Sequence, residues 1–181
     1  MPIPGAQHHW HPAPNGRRVT LADGGQAVVR TLAAGEVAVV QQVFEGLSER
    51  SRYERFLGAK PSLSRDDLAL LSAVDHDNHE ALVAVDPVTG SAVGEAHLVR
   101  DRCDRSVAEV AFAVTDEWQG RCLGTRLALL LAARARELGI HRVRASMLTG
   151  NTRSRALMRR MGPVVNRSYE GAAVELEVVL D

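Results

Sequence analysis

Cysteines, long apolar runs and net charge are all scarce in this chain, and each shortage excludes a class of protein. Only two of its 181 residues are cysteines, Cys103 and Cys122, which are too few for a disulfide framework and match no metal-ligand pattern. No apolar run approaches the roughly 18 residues that a membrane helix needs, and the N-terminus lacks the apolar segment of a signal peptide. We therefore expect a cytoplasmic protein without a metal site.

The charges are balanced, with 22 Lys and Arg residues against 22 Asp and Glu residues. This balance gives no sign of a nucleic-acid or membrane partner, because both carry negative charge and select basic surfaces. Apolar residues make up 45% of the chain, which is ordinary for a globular domain. A chain of this length suits one domain with a core of useful size.

The first 16 residues differ from the rest in composition. This segment is rich in proline, histidine and glycine and shows no periodicity, which predicts a disordered arm. His8, His9 and His11 within it could pick up a metal opportunistically. The remainder contains no repeat and no linker long enough to divide it, so we expect residues 17–181 to form a single domain.

Hydrophobic periodicity predicts both strands and helices after the arm. Apolar runs bounded by turn residues predict strands at 26–32, 80–85, 91–99, 107–114 and 142–148, with two more between 163 and 180. Helical spacing predicts helices at 35–47, 48–57 and 125–138, and Ser64-x-x-Asp67 has the pattern of a capping box for another short helix. Strands adjacent in sequence, with helices before and after them, indicate an α+β fold with a mixed sheet.

A turn of small residues, Gln119 to Gly124, separates the strand at 107–114 from the helix at 125–138. Such a turn leaves backbone N–H groups free at the helix N-terminus, where the helix dipole also favours negative charge. Gly120 and Gly124 lack a Cβ and would let the backbone approach a ligand closely. The pattern predicts a phosphate site, although the glycines could also serve only to make a tight turn.

Two motifs resemble those of one enzyme family. Gln119-x-x-Cys122-x-Gly124 resembles motif A of the Gcn5-related N-acetyltransferases (GNAT), which cradles the pyrophosphate of coenzyme A, and residues 151–162 resemble motif B. Residues 46–57 are similar to the first helical region of a bacterial branch that includes the Pat-type protein lysine acetyltransferases. The similarity covers residues 17–181, and we expect no regulatory domain of the Pat type in this chain.

The resemblance implies a fold, a cosubstrate and a set of binding residues. The family fold is a mainly antiparallel mixed sheet flanked by helices, which splays open beside the strand that carries Glu109 so that the thioester arm of acetyl-CoA enters the gap. The backbone at the end of this strand would bond the pantetheine amides and polarise the thioester carbonyl. The residues expected to bind acetyl-CoA are Phe112, Ala113, Val114, Gln119, Gly120, Arg121, Cys122, Leu123, Gly124, Thr125, Asn151 and Ser154.

Glu109 is the general base that the resemblance implies, because the Pat-like branch has a glutamate at this position. By alternation it shares a strand face with Ala111 and Ala113, whose small side chains leave room for a substrate. We expect burial beside the acetyl site to make the carboxylate a stronger base. The alternative is a solvated or ion-paired sheet residue with Arg100 or Arg142 as its partner.

Two of the departures from the family pattern affect the expected site. Cys122 stands where the family usually has glycine: its side chain could crowd a phosphate oxygen, or it could be tolerated if the residue kept ordinary helical dihedral angles. Met158 stands where the family often has a tyrosine that protonates the departing thiolate, and a thioether has no proton to give. Tyr169 could replace that acid, water could do so, or no acid is used, because a thiol with a reference pKa of about 8.5 leaves readily near neutral pH.

Two further clusters have open interpretations. The Arg52–Phe56 segment occupies the region where the family builds the floor of the acceptor site, but Tyr53 and Phe56 could equally pack inward from a helix. His76 and His79, with aspartates beside them, could bind a metal, and a solvated loop is the interpretation that we favour.

Three functional hypotheses follow. The first is an N-acetyltransferase that moves the acetyl group of acetyl-CoA to a primary amine, either a protein lysine or a small molecule, by direct attack in a ternary complex. The second is a non-catalytic acyl-CoA-binding module of the same fold, which Cys122 and Met158 favour and Glu109 speaks against. The third is a structural or dimerising protein in which the phosphate turn is accidental. Homodimers are common in such folds, but no segment of the sequence demonstrates one.

Overall fold

A computed structural model describes residues 16–180, so all but the last residue of the predicted disordered arm, including His8, His9 and His11, lies outside the described residues. The strands are β1 (Arg17–Thr20), β2 (Gln26–Thr31), β3 (His79–Val85), β4 (Ala92–Arg100), β5 (Val107–Val114), β6 (Arg142–Leu148), β7 (Val164–Glu170) and β8 (Ala173–Val179). The helices are α1 (Val37–Glu45), α2 (Glu49–Phe56), α3 (Arg65–Ser72), α4 (Leu123–Glu137) and α5 (Thr152–Met161), and a short 3-10 turn covers Asp116–Trp118.

The strands form one eight-stranded sheet in the order β1-β2-β3-β4-β5-β6-β8-β7. Every neighbouring pair is antiparallel except β5 and β6, which run parallel. The predicted α+β fold with a mixed, mainly antiparallel sheet is therefore confirmed. Sequence periodicity missed β1, because only Val19 among its four residues is buried and no alternation is visible over so short a strand.

Helices cover both faces of the sheet. Helices α4 and α5 pack on one face, where their buried residues join the even-numbered residues of β5 in the largest apolar cluster. Helix α1 packs on the other face, where Val43 and Leu47 lie against Ala113 of β5 in a smaller cluster. The alternation predicted for β5 is confirmed, because Val110 belongs to the α4 side and Ala113 to the α1 side.

Local sequence explains where the flanking helices begin and end. The predicted capping box opens α3, since Ser64 Oγ accepts from the N–H of Asp67 and the Asp67 carboxylate accepts from the N–H of Ser64. Asn151 caps α5 by accepting from the N–H of Ser154 at 3.0 Å. A Cβ on Gly162, which ends α5, would collide with the carbonyl oxygen of Val179, so only glycine fits there.

Candidate active site

The sheet opens at its one parallel pair. Strands β5 and β6 are paired at only three positions, the last of which aligns Glu109 with Arg144. Beyond this point β5 continues to Val114 and β6 to Leu148 without pairing each other. A cleft therefore separates the second halves of the two strands, as the family resemblance led us to expect.

The backbone of β5 offers unpaired groups to this cleft. The N–H of Thr115 donates to the carbonyl oxygen of Val93 in β4, at 3.0 Å. Because alternate residues of a strand direct their backbone groups to opposite neighbours, Ala113 also bonds β4, whereas Phe112 and Val114 face the cleft. The Val114 carbonyl accepts from Gln119 Nε2 at 3.0 Å on that side. The N–H groups of Phe112 and Val114 are thus directed toward the gap.

The segment Gln119–Thr125, here called the phosphate turn, leads from the 3-10 turn into α4. Its first helical N–H groups, those of Leu123, Gly124 and Thr125, have no acceptor within residues 16–180. A Cβ on Gly124 would meet no protein atom closer than 3.9 Å, so packing alone does not require glycine there. Free donors at a helix N-terminus beside open space form a ready site for an anion.

Cys122 adopts a left-handed backbone conformation, with φ 65° and ψ 14°. The condition under which the side chain would be tolerated, ordinary helical dihedral angles, is therefore not met. A Cβ in this region costs roughly 1–2 kcal/mol, which gives a physical reason why glycine is usual at this position. The thiol is exposed and forms no capping hydrogen bond.

A cavity of about 450 Å³ lies over the phosphate turn and the end of β5, and a second cavity, which shares Phe112 and Ser154 with it, opens between β5 and β6. Of the residues predicted to bind acetyl-CoA, all but Arg121 line the first cavity: Phe112, Ala113, Val114, Gln119, Gly120, Cys122, Leu123, Gly124, Thr125, Asn151 and Ser154. Sequence reasoning missed Trp118 and Arg160, which also line the cavity. Both lie on elements adjoining predicted site residues, but neither stands at a motif position.

Arg121 is turned away from the cavity. Its Nε donates to Asp23 at 2.6 Å, and its guanidinium lies 4.3 Å from the centre of the Trp118 ring. Gln119 instead organises the wall, because Nε2 donates to Val114 and Ser51 while Oε1 accepts from Arg153 at 3.0 Å.

Glu109 lies on an exposed part of β5 and lines the second cavity, of about 280 Å³. The predicted burial of this carboxylate is therefore wrong. Neither Arg100 nor Arg142 pairs with it within residues 16–180, because Arg100 binds Asp77 and Arg142 binds other acidic side chains. The side chain is available to a ligand in this second cavity.

Strand β4 carries two buried titratable side chains that sequence reasoning missed. Glu95 is 6% exposed and His97 is 3% exposed, and both lie on the α1 side of the sheet. Glu95 is aligned with Ala113, which lines the first cavity. The signal in the sequence is a Glu-x-His pair within an apolar strand, since buried charges require a partner or a function.

His97 lies between His79 and Glu95. His79 Nδ1 faces the Ala73 carbonyl oxygen at 3.2 Å and must donate to it, so His79 Nε2 accepts from His97 Nδ1 at 3.0 Å. His97 Nε2 lies 3.3 Å from Glu95 Oε2, but neither atom has a hydrogen-bond partner within the described residues. Burial raises the pKa of Glu95, but its electrostatic interactions with His97 and Arg55 lower it by more, so the pKa of this carboxyl is below its usual range.

Arg55 of α2 joins this buried network to both cavities. Its side chain lines each of them, and its buried Nε has no hydrogen-bond partner within the described residues. Burial lowers the pKa of Arg55, and the negative charges of Glu95 and Glu109 oppose that shift. The guanidinium therefore interacts electrostatically with both carboxylates that could serve as a base.

The Arg52–Phe56 segment was predicted either to form the floor of the acceptor site or to pack inward, and its residues differ in this respect. Phe56 lines the second cavity and packs edge-on against Phe44 at 5.9 Å between ring centres. Arg52 stacks over the same Phe44 ring at 4.3 Å. Tyr53 is exposed and does not pack inward.

Met158 is buried at the second cavity, whereas Tyr169 is not brought near either cavity. Tyr169 lies on the edge strand β7, where 61% of it is exposed. The structure therefore gives no support to Tyr169 as the general acid.

His76 and His79 form internal contacts. His76 Nδ1 lies 2.8 Å from the fully buried Glu80, which Arg134 of α4 also binds at 2.8 Å. Within residues 16–180 no group of three or more His, Cys, Asp or Glu side chains is arranged to hold a metal ion. None of the helices in the same range has the length and apolar character that a membrane span requires.

Comparison with known proteins gives consistent matches. The family model for the acetyltransferase (GNAT) domain matches residues 29–164. Acetyltransferase Pat from Mycolicibacterium smegmatis is 34% identical over 156 residues, which cover 86% of this chain and 46% of that protein. The chain thus spans about half the length of this curated relative.

Solved structures show the same similarity. The GNAT domain of S. lividans PAT superposes with a TM-score of 0.84 at 31% identity, covering 94% of this chain and 100% of that domain. YncA from Salmonella typhimurium, solved with acetyl-CoA, superposes with a TM-score of 0.67 at 18% identity, covering 86% of this chain and 94% of the other. The second match concerns the fold alone.

Proposed function

This chain belongs to the GNAT acetyltransferase family, and from that membership we propose that it transfers the acetyl group of acetyl-CoA to a primary amine. The observation that carries the proposal is the position of the phosphate turn, whose free N–H groups belong to the same cavity as Phe112, Ala113 and Val114 at the end of β5. An anion at the turn and an extended arm along the end of β5 would fit this one surface. The acetyl-CoA bound to YncA in its structure is consistent with this assignment.

Different residues of the chain would bind the pyrophosphate and the thioester arm of acetyl-CoA. The N–H groups of Leu123, Gly124 and Thr125 would hold the pyrophosphate, helped by the α4 dipole. Arg153 and Arg160 line the same cavity and would add positive charge. The cleft-facing N–H groups of Phe112 and Val114 would bond the arm and stabilise the negative charge that develops on the thioester oxygen.

The acceptor would enter through the second cavity. Glu54 and Glu109 line it together with Arg55, and two carboxylates favour the approach of a cationic amine. The proposed acceptors are a protein lysine or a small-molecule amine, which would attack directly within a ternary complex. Departure of a thiol with a reference pKa of about 8.5 needs no general acid near neutral pH, in keeping with a methionine at position 158.

Glu109 is the base that the family resemblance implies, and it can reach a ligand in the second cavity. The sheet register favours a second candidate, Glu95. Its Cα lies about 5 Å from that of Ala113 across the β4–β5 pair, whereas Glu109 lies four residues, or about 13 Å, from Ala113 along β5. The amine proton would have to pass Arg55 or water to reach Glu95, since Glu95 lines neither cavity.

A turnover assay tests the proposal. Thiol release from acetyl-CoA would be followed with lysine-containing peptides and with small primary amines, and the acetylated amine would be identified by mass spectrometry. We expect amine-dependent thiol release with formation of an N-acetyl product. Binding of acetyl-CoA without turnover on any amine would instead favour the non-catalytic module, for which the left-handed Cys122 is the supporting observation.

A further inference from the structure

The tight turn between β1 and β2 is in direct contact with the phosphate turn, although the two are 98 residues apart in the chain. The N–H of Ala22 donates to the carbonyl oxygen of Arg121 at 3.0 Å. The Asp23 carboxylate accepts from Arg121 Nε at 2.6 Å. One turn later, Arg126 Nε donates to the Thr20 carbonyl at 3.1 Å. The hairpin therefore holds the phosphate turn by both backbone and side-chain bonds.

The backbone bond has a geometric consequence for the neighbouring residue. The carbonyl of Arg121 and the N–H of Cys122 belong to one planar trans peptide, so they point in opposite directions. Because Ala22 fixes the carbonyl toward the hairpin, the N–H of Cys122 is directed away from it. Cys122 lines the first cavity, and its N–H has no acceptor within residues 16–180. The hairpin thus determines the direction of a free donor at the proposed phosphate site.

The side chain of Arg121 also fixes the Arg121–Cys122 peptide through its contacts with the hairpin and with Trp118. The Arg121 guanidinium lies between the Asp23 carboxylate and the Trp118 ring. A Cβ on Gly25 would collide with this guanidinium, so the hairpin fits closely around it. The hydrogen bonds from Arg121 and from the N–H of Gly25 hold the pKa of Asp23 below its usual range. The carboxylate is therefore charged throughout the neutral range.

We propose that the β1–β2 turn is a positioning element for the cosubstrate, with Asp23 and the N–H of Ala22 orienting the Arg121–Cys122 peptide so that its N–H meets a phosphate oxygen. This proposal rests on the proposed binding of acetyl-CoA. It assigns Arg121 to the hairpin contact and not to direct phosphate binding. It also explains how the left-handed conformation of Cys122 is maintained, because bonds to the hairpin offset its backbone strain.

Two variants remove these bonds separately while preserving the hairpin. Asp23→Asn loses the charge that binds Arg121 but keeps an oxygen for the N–H of Gly25, which donates to Asp23 at 3.0 Å. Ala22→Pro removes the backbone donor. Ala22 is the second residue of a turn closed by the bond from the Gly24 N–H to Leu21 at 3.1 Å, a position that proline favours.

Asp104→Asn is the matched control. Asp104 is also 48% exposed and also binds an arginine, Arg142, at 3.0 Å. It lies before β5, whereas the phosphate turn follows β5 at the opposite end of that strand. The control therefore reports the loss of a comparable ion pair away from the phosphate turn.

Steady-state kinetics and calorimetry with acetyl-CoA provide the test. We expect each hairpin variant to raise the KM and Kd for acetyl-CoA by about two- to fivefold, the range of an exposed ion pair or one hydrogen bond, with unchanged kcat and acceptor KM. The control should equal the wild type. Tighter binding by Asp23→Asn would overturn the proposal, because it would make Arg121 a phosphate ligand restrained by Asp23. Hairpin variants that match the control would overturn the positioning role alone, whereas a wild type without acetyl-CoA binding would overturn the proposed function as well.

Discussion

Glu109 and Arg144 are aligned in the last of three parallel backbone pairs between β5 and β6, and the sheet opens immediately beyond them. Arg144 binds Asp101 across the sheet, so it does not neutralise Glu109. The strand that carries Glu109 continues past this point with its backbone donors at Phe112 and Val114 facing the cleft. Sheet register thus places at the base of the cleft a carboxylate that forms no ion pair within residues 16–180, and N–H groups directed toward the cleft further along the strand.

Replacing Cys122 with glycine should stabilise the protein. Glycine adopts the left-handed conformation without the Cβ penalty, so we expect about 1 kcal/mol of added stability and a melting temperature higher by about 2–4 °C. Thermal denaturation checks this, with Cys103→Gly as the control because Cys103 is also exposed but has no positive φ. An equal or lower melting temperature for Cys122→Gly would show that the strain is absent.

The two candidate bases should be distinguishable by amide substitution. Glu109→Gln is expected to lower kcat by about 10²–10⁴-fold if Glu109 takes the amine proton, with a nearly unchanged melting temperature, because its side chain is exposed. A small effect of Glu109→Gln on kcat would transfer the role to Glu95.

Glu95→Gln should have a different signature, because it leaves the buried Arg55 charge without the carboxylate with which it interacts. We expect a loss of about 3–5 kcal/mol of stability, measured by denaturant unfolding. Wild-type stability in Glu95→Gln would contradict a stabilising electrostatic interaction between Glu95 and Arg55. Its kcat is interpretable only at a temperature where the variant is shown to be folded.

The pair formed by the partly buried His79 and the buried His97 should make stability depend on pH. Burial and the charge of His97 lower the pKa of His79, while Asp75, Glu80 and the Ala73 carbonyl oppose this shift. A lowered pKa in the folded state means that His79 binds a proton more readily in the unfolded chain. The contribution of His79 to the free energy of unfolding is therefore complete above about pH 6.5 and is lost as the pH falls.

Melting temperatures measured between pH 7.5 and 5 test this dependence. We expect the wild type to lose stability toward pH 5 more steeply than His79→Gln does. The control is His141→Gln, because His141 is exposed and its removal should leave the slope unchanged. Identical slopes for the wild type and His79→Gln would contradict the prediction.

Much of the fold was predictable from the sequence because its elements carry strong local signals. The strand at Val107–Val114 and the capping box at Ser64 both rest on local spacing, and the structure confirms them. The four-residue β1 could not be predicted, because its stability comes from pairing with β2 and not from its own pattern.

The site was less predictable, because several of its features depend on distant partners. The residues of the phosphate turn are contiguous, so the motif located them together. The exposure of Glu109 depends on where β6 diverges, and the orientation of Arg121 depends on Asp23, which is far away in sequence. Glu95 and His97 gave a local signal as charged residues in an apolar strand, but their link to His79 follows only from the pairing of β3 with β4.

Calorimetric titration with acetyl-CoA, on the wild type and on Gly124→Val, tests the central claim most directly. Gly124 lines the first cavity, and a Cβ there meets no atom closer than 3.9 Å, so a valine adds bulk at the proposed phosphate site. Ala69→Val adds similar bulk to an exposed position on α3 and serves as the control. We predict that the wild type and Ala69→Val bind acetyl-CoA equally and that Gly124→Val binds at least about tenfold more weakly, a difference of about 1.4 kcal/mol. Equal binding by all three proteins would contradict the assignment of the phosphate turn, and absence of binding by the wild type would contradict the acetyltransferase function itself.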